Sequence, residues 1–120
     1  MKKEFIPYQQ ALELKELGFN EEYYGIYFIP TQKLLIGEKV NEYTIDIRII
    51  APTYRQTLAF FRDKHKLIAG IFPNNHSLSI KPSYISYVGR FKKGDVTEHK
   101  TYEEAELACL IKLIEIAKNK

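Results

Sequence analysis

A chain of 120 residues, 45% hydrophobic and 28% charged, is long enough to bury roughly two-thirds of its unfolded surface, and its composition is that of a soluble globular domain. A single cysteine excludes an internal disulfide and any zinc site built on cysteine pairs, and it fits a reducing compartment. The net charge of +3 neither demands nor forbids a polyanionic partner.

No apolar run approaches the roughly 18 residues needed to cross a membrane. The opening Met1-Lys-Lys-Glu-Phe-Ile-Pro7 has no hydrophobic signal core, so the expected setting is cytoplasmic, with no membrane partner. One domain spanning residues 1–120 is expected.

Residues 7–19 predict a first helix. Pro7 suits the first helical position, Ala11, Leu14 and Leu17 form its apolar stripe, and Gly18 is placed to end it in the left-handed conformation with Phe19 folding back on Leu14. Tyr23 to Ile29 is aromatic and β-branched, a strand apolar on both faces that Pro30 stops. Gln32 to Ile36 predicts a second short strand, and residues 37–42 a polar turn. Tyr43 to Ile49 alternates apolar residues with Thr44, Asp46 and Arg48, the pattern of a strand with one wet face.

A second helix is expected from Thr53 to about His65. Either Thr53 and Gln56 form a reciprocal cap or Pro52 is already the first helical residue. Tyr54, Leu58 and Phe61 share a face, with Phe60 to the side. Leu67 to Phe72, Leu78 to Ile80 and Tyr84 to Phe91 predict strands, with a turn at Pro73 to His76. Residues Lys92 to Asp95 predict a hairpin loop into a strand from Val96 to His99.

The last helix, Thr101 to Lys118, is the clearest. Thr101 and Glu104 have capping-box spacing, and acids lead while lysines trail, as the helix dipole favours. Leu107, Leu110, Ile111, Ile114 and Ala117 share the expected core face. A second apolar side, Ala105, Cys109, Leu113 and Ile116, widens the stripe beyond the ordinary surface-helix arc of about 100°. That side is covered by another helix or forms a subunit interface, and the first is favoured. Cys109 is expected as a small core residue.

The order α-β-β-β-α-β-β-β-β-α groups strands consecutively. It predicts an α+β domain with an antiparallel sheet of meanders and hairpins and helices on one face.

Enzyme signatures are absent: no nucleophile elbow, phosphate-binding loop, dinucleotide fingerprint or zinc-protease motif occurs. His65, His76 and His99 share no ligand spacing, so no metal and no cofactor is expected. Basic residues Arg62, Arg90, Lys92 and Lys93 interleave with Tyr84 and Tyr87, the pattern of a cationic groove with stacking platforms for single-stranded nucleic acid or a nucleotide. The same residues also fit a core of aromatics under a solubilising cationic layer, which the small net charge favours. Nine tyrosines and no tryptophan, including the Tyr23-Tyr24 pair, suit an interface as well as half-buried strands.

Three stretches taken together, residues 5–20, 51–65 and 101–116, resemble a group of small, uncharacterised proteins encoded by phages and prophages of gut-dwelling Bacteroides-like bacteria. The resemblance implies manufacture inside an infected or lysogenic cell and an accessory role, and it carries no site residues. The leading expectation is a non-enzymatic accessory protein that binds a host or phage protein, with a homodimer as one form. Binding of an anionic ligand, nucleic acid or a signalling nucleotide, is the alternative.

Overall fold

A computed structural model describes residues 4–20, 25–36, 48–73, 83–90 and 93–119. The fold is α+β, and the described residues form three helices and two three-stranded antiparallel sheets where one sheet was expected. The chain divides into two compact units, Met1–Gln56 and Thr57–Lys120. The predicted turns at residues 37–42 and 74–76, the strand at 78–80 and most of the strand at 43–49 lie outside the described residues.

Unit 1 begins with α1 (Tyr8–Glu16), followed by β1 (Gly25–Phe28), β2 (Lys33–Ile36) and β3 (Arg48–Ile50), in sheet order β2-β1-β3. Pro7 caps α1 from an extended conformation and is not its first helical residue. The far end closes as the sequence predicts. Gly18 takes φ +89°, its N–H donates to the carbonyl of Lys15, and the N–H of Phe19 reaches the carbonyl of Leu14 at 3.0 Å. This turn carries Phe19 into the core with Ala11 and Leu14. Ile26 and Tyr27 occupy opposite faces of β1, yet both are buried, as expected of a central strand. The segment before α1 is tied in by a bridge from Phe5 to Thr53 and by the N–H of Ile6 donating to the carbonyl of Pro52.

Helix α2 (Tyr54–His65) opens on a complete capping box. Gln56 N–H donates to Thr53 Oγ1 at 3.2 Å, and Thr53 N–H donates to Gln56 Oε1 at 3.0 Å. Its buried residues are Thr57, Phe60 and Phe61; Tyr54 and Leu58, expected in the core, are half-buried.

Unit 2 continues with β4 (Ile68–Pro73), β5 (Tyr84–Arg90), β6 (Lys93–His99) and α3 (Tyr102–Lys118), the strands forming a meander in the order β4-β5-β6. The β5–β6 hairpin is tighter than predicted. Arg90 pairs with Lys93, leaving two residues between the paired ends, and Gly94 and Asp95 belong to the strand. Gly94 is needed there because a Cβ at that position would run into the ring of Tyr87.

Helix α3 is capped by Thr101, whose Oγ1 accepts from the Glu104 N–H at 3.1 Å, and it packs on all three strands. Its buried face is rotated from the expected one. Ala105, Cys109 and Leu113 are buried together with Leu110, Ile114 and Ala117, while Ile111, expected in the core, is 47% exposed. The strands of its own unit lie under α3.

Candidate functional site

Strand geometry assigns the faces of the β4–β6 sheet. Ser86 and Val88 on β5 are buried, and Asp95, the partner of Val88, forms a 3.4 Å ion pair with Lys112 of α3. Tyr84, in phase with them, sets its ring edge-on to Tyr102 of α3 at 5.8 Å between centroids. The even-numbered positions of β5 therefore face the helix, and the odd-numbered ones face away.

Read through the register, the face away from α3 carries Ile68 and Phe72 of β4, Ile85 and Tyr87 of β5, and Val96 and Glu98 of β6. Three of these are large apolar side chains open to solvent: Ile68 is 45% exposed, Phe72 57% and Val96 62%. Among the described residues Glu98 is the one charged side chain at these positions, and it accepts a hydrogen bond from Ser83 at 3.3 Å. The phase of these residues follows from simple alternation, but which phase faces the helix is a property of the packed sheet.

Beneath α3 the sheet holds a polar cluster that sequence reasoning did not single out. Ser86 Oγ lies 2.6 Å from Thr97 Oγ1 and 3.1 Å from His99 Nε2, and Thr97 Oγ1 lies 2.8 Å from the same nitrogen. The Sγ of Cys109 sits 3.9 Å from the carbonyl of Gly70 and 4.0 Å from that of Tyr87. Burial pushes the thiol pKa up, against smaller opposing effects of hydrogen bonding with Ser86 and with the Tyr87 backbone. A serine beside a histidine is the beginning of a nucleophile–base pair. Here, however, the Ser86 hydroxyl is buried and engaged by both neighbours, and the thiol is held in its unreactive form. The cluster satisfies polar groups under a helix. Glu106, at the edge of the buried arc, has its carboxyl pKa raised by burial and then by Glu103.

Of the other residues expected at a site, Ala105, Cys109 and Leu113 are core and not an open interface, and Ile116 is half-buried. Tyr23 and Tyr24 lie outside the described residues. Tyr84 and Tyr87 are three apart in a strand and so occupy opposite faces; they do not make one stacking platform. The Tyr87 hydroxyl donates to the carbonyl of Arg90. Arg62 pairs with the adjacent Asp63 at 3.0 Å. Arg90 lines a groove of about 490 Å³ together with Asp95 and Glu115, both of which pair with Lys112. Lys92 lies outside the described residues, and Lys93 opens β6 opposite Arg90.

His65 packs its ring against Phe60 and Phe61 at 5.3 and 5.5 Å. No three His, Cys, Asp or Glu residues among those described are grouped to hold a metal ion. No helix among them is long and apolar enough to cross a membrane.

Unit 1 contains a second concavity of about 320 Å³ at the end of α1. Phe19 and Ile49 form its apolar walls with Ala11, and Lys15, Asn20 and Arg48 bring polar groups to it. The Gly18 turn directs Phe19 inward at this concavity. No family model, curated protein or solved structure matches this chain.

Proposed function

We propose that this chain is a non-catalytic accessory protein that works by binding another protein through the outer face of the β4–β6 sheet. The carrying observation is the exposure of Ile68, Phe72 and Val96 on one face of a sheet whose other face is filled by α3. Contiguous apolar surface of this kind marks an interaction site. The aromatic Phe72 offers large contact area with few rotors to immobilise, the property of an interface anchor.

Protein is the partner class that suits this face, because among the described residues its apolar side chains outnumber its single acid and no cationic side chain stands there to meet a polyanion. The Ser86–Thr97–His99 cluster, in which Ser86 is buried, His99 half-buried and Thr97 exposed, satisfies polar groups on the helix-side face of the sheet, in keeping with a binding role. A small adaptor of this type fits the setting that the phage-protein resemblance implies, the cytoplasm of a host bacterium.

The test compares the wild-type chain with Phe72→Glu/Val96→Glu. Sedimentation reports self-association, and capture from bacterial lysate, followed by titration of the purified captured protein, reports a foreign partner. The expected result is a partner, a second copy or a foreign protein, whose affinity falls at least about tenfold in the variant. A wild-type chain that stays a 14.1 kDa monomer at high concentration and captures nothing sensitive to the double substitution overturns the proposal.

A further inference from the structure

We infer that the outer edge of β6 is a strand-pairing site whose occupant is the β6 edge of a second copy of this chain. The two three-stranded sheets then join into one antiparallel sheet, about a twofold axis that passes through Val96 perpendicular to the strands. The docking face proposed above is a property of side chains, whereas this site is a property of the backbone, so each can fail without the other.

The hairpin fixes which backbone groups the edge presents. Arg90 pairs with Lys93 across a two-residue loop, so these two exchange hydrogen bonds as the closing pair. Bonded and non-bonded pairs then alternate along the ladder. Asp95, Thr97 and His99 turn their N–H and C=O groups toward β5, while Gly94 and Val96 turn theirs to the outer edge. Among the described residues β6 pairs with β5 alone, and Gly94 to Glu98 are all exposed, Val96 by 62%. An exposed row of backbone donors and acceptors is a template for another strand.

Two devices that blunt sheet edges, bulges and proline, are missing from β6. Its register with β5 runs unbroken from Lys93 to His99, and it contains no proline. The opposite edge differs: β4 ends in Pro73, and its Ala69, Gly70 and Ile71 are half-buried.

Register and space select a second copy. Val96 is the middle residue of β6, so an antiparallel pair centred on it matches the whole strand, with Gly94 opposite Glu98 and Asp95 opposite Thr97. The central pair sets one Val96 against the other, a favourable β-branched contact. Moving the centre by one residue opposes Asp95 to Asp95 in one direction and Val96 to Glu98 in the other, so the centred register is preferred. Helix α3 packs chiefly on β5. In the joined sheet the two β5 strands are three strand spacings apart, about 14 Å. Packed helices need about 8–10 Å between axes, so both copies of α3 fit side by side.

The full chain is followed by sedimentation equilibrium and by amide hydrogen exchange over a concentration series. A reversible dimer of twice 14.1 kDa is expected, with a Kd of about 100 μM, as suits a small interface. The Gly94 and Val96 amides should exchange at least about threefold more slowly in dimeric than in dilute samples, a larger change than at Asp95 and Thr97, which already bond to β5. Val96→Pro removes the central donor without removing a β5–β6 bond and should give a folded monomer. Phe72→Glu, on the sheet face two strands from this edge, should dimerise like wild type. The exchange series needs no variant, so it decides the matter even where Val96→Pro fails to fold. A wild-type monomer at every concentration overturns the inference and leaves the edge to a foreign strand. A dimer that Phe72→Glu abolishes, with Val96 exchange independent of concentration, also overturns it, because the copies would then meet through the docking face.

Discussion

The hydroxyl of Tyr27 on β1 donates a 2.6 Å hydrogen bond to the carbonyl of Ile6, linking the central strand of unit 1 to the segment ahead of α1. The two residues are 21 positions apart, both are buried, and burial raises the phenol's pKa. Tyr27→Phe keeps the ring and its edge-on contact with Tyr8 but leaves the Ile6 carbonyl without this donor. A loss of about 1–2 kcal/mol is expected, measured by urea denaturation, because a buried acceptor stripped of its partner keeps its desolvation cost. An unchanged unfolding midpoint would show that the bond contributes nothing net.

Gly18 separates backbone strain from steric crowding. A Cβ there meets no atom within 4 Å, yet φ is +89°. Gly18→Ala is therefore expected to destabilise by about 1 kcal/mol through the left-handed backbone alone. Gly18→Asn should cost roughly half as much, since asparagine tolerates that region better. Equal stability of alanine and glycine at this position would mean that the turn relaxes to another conformation.

Much of this local structure can be read from sequence because its causes are local. The Thr53/Gln56 box, the Thr101 cap and the Gly18–Phe19 turn each depend on residues within five positions of one another, and all three form. The buried face of α3 does not follow in the same way. Its apolar arc is too wide to choose a centre, and the strands below select Cys109 and Leu113 over Ile111. Tyr84 and Tyr87 look like a pair in sequence, but three residues along a strand reverse the face. The cavity joins Lys15 to Arg48, residues with no local relationship, so no pattern in either segment announces it.

Glu106 gives a pH prediction with a definite sign. Its folded-state pKa is raised above the ordinary carboxyl value, by burial first and Glu103 second, so the ionised carboxylate disfavours the folded state. The stability associated with protonated Glu106 is fully present below the unfolded pKa and is lost as pH rises through the raised folded value. Glu106→Gln should therefore unfold at a higher temperature than wild type at neutral pH, and the gap should close as pH falls below about 4.5. A gap that persists at low pH would assign the effect to something other than ionisation.

Cys109 supplies a chemical reporter for unit 2. Burial under α3 and a raised thiol pKa both suppress the thiolate, so a disulfide reagent should modify the native chain slowly. The rate should rise at least about tenfold when denaturant opens the unit, in step with loss of its circular dichroism signal. Fast modification of the native chain at neutral pH would contradict the packing of α3 on the sheet.

Among the described residues, the strands of unit 1 pair within Met1–Gln56, and β4, β5 and β6 pair with one another. Each unit is thus a continuous run of the chain, which matters during synthesis. Translation adds about 5–20 residues per second, and N-terminal portions generally fold first. The sheet of unit 1 can close while α3 is still being made. Until α3 leaves the ribosome, Ser86, Val88 and the rest of the inner face of β4–β6 stand as open as Phe72 and Val96 on the outer one. For that interval the nascent meander exposes apolar surface on both sides, and the emergence of the last seventeen-residue helix is the event that leaves it one-sided.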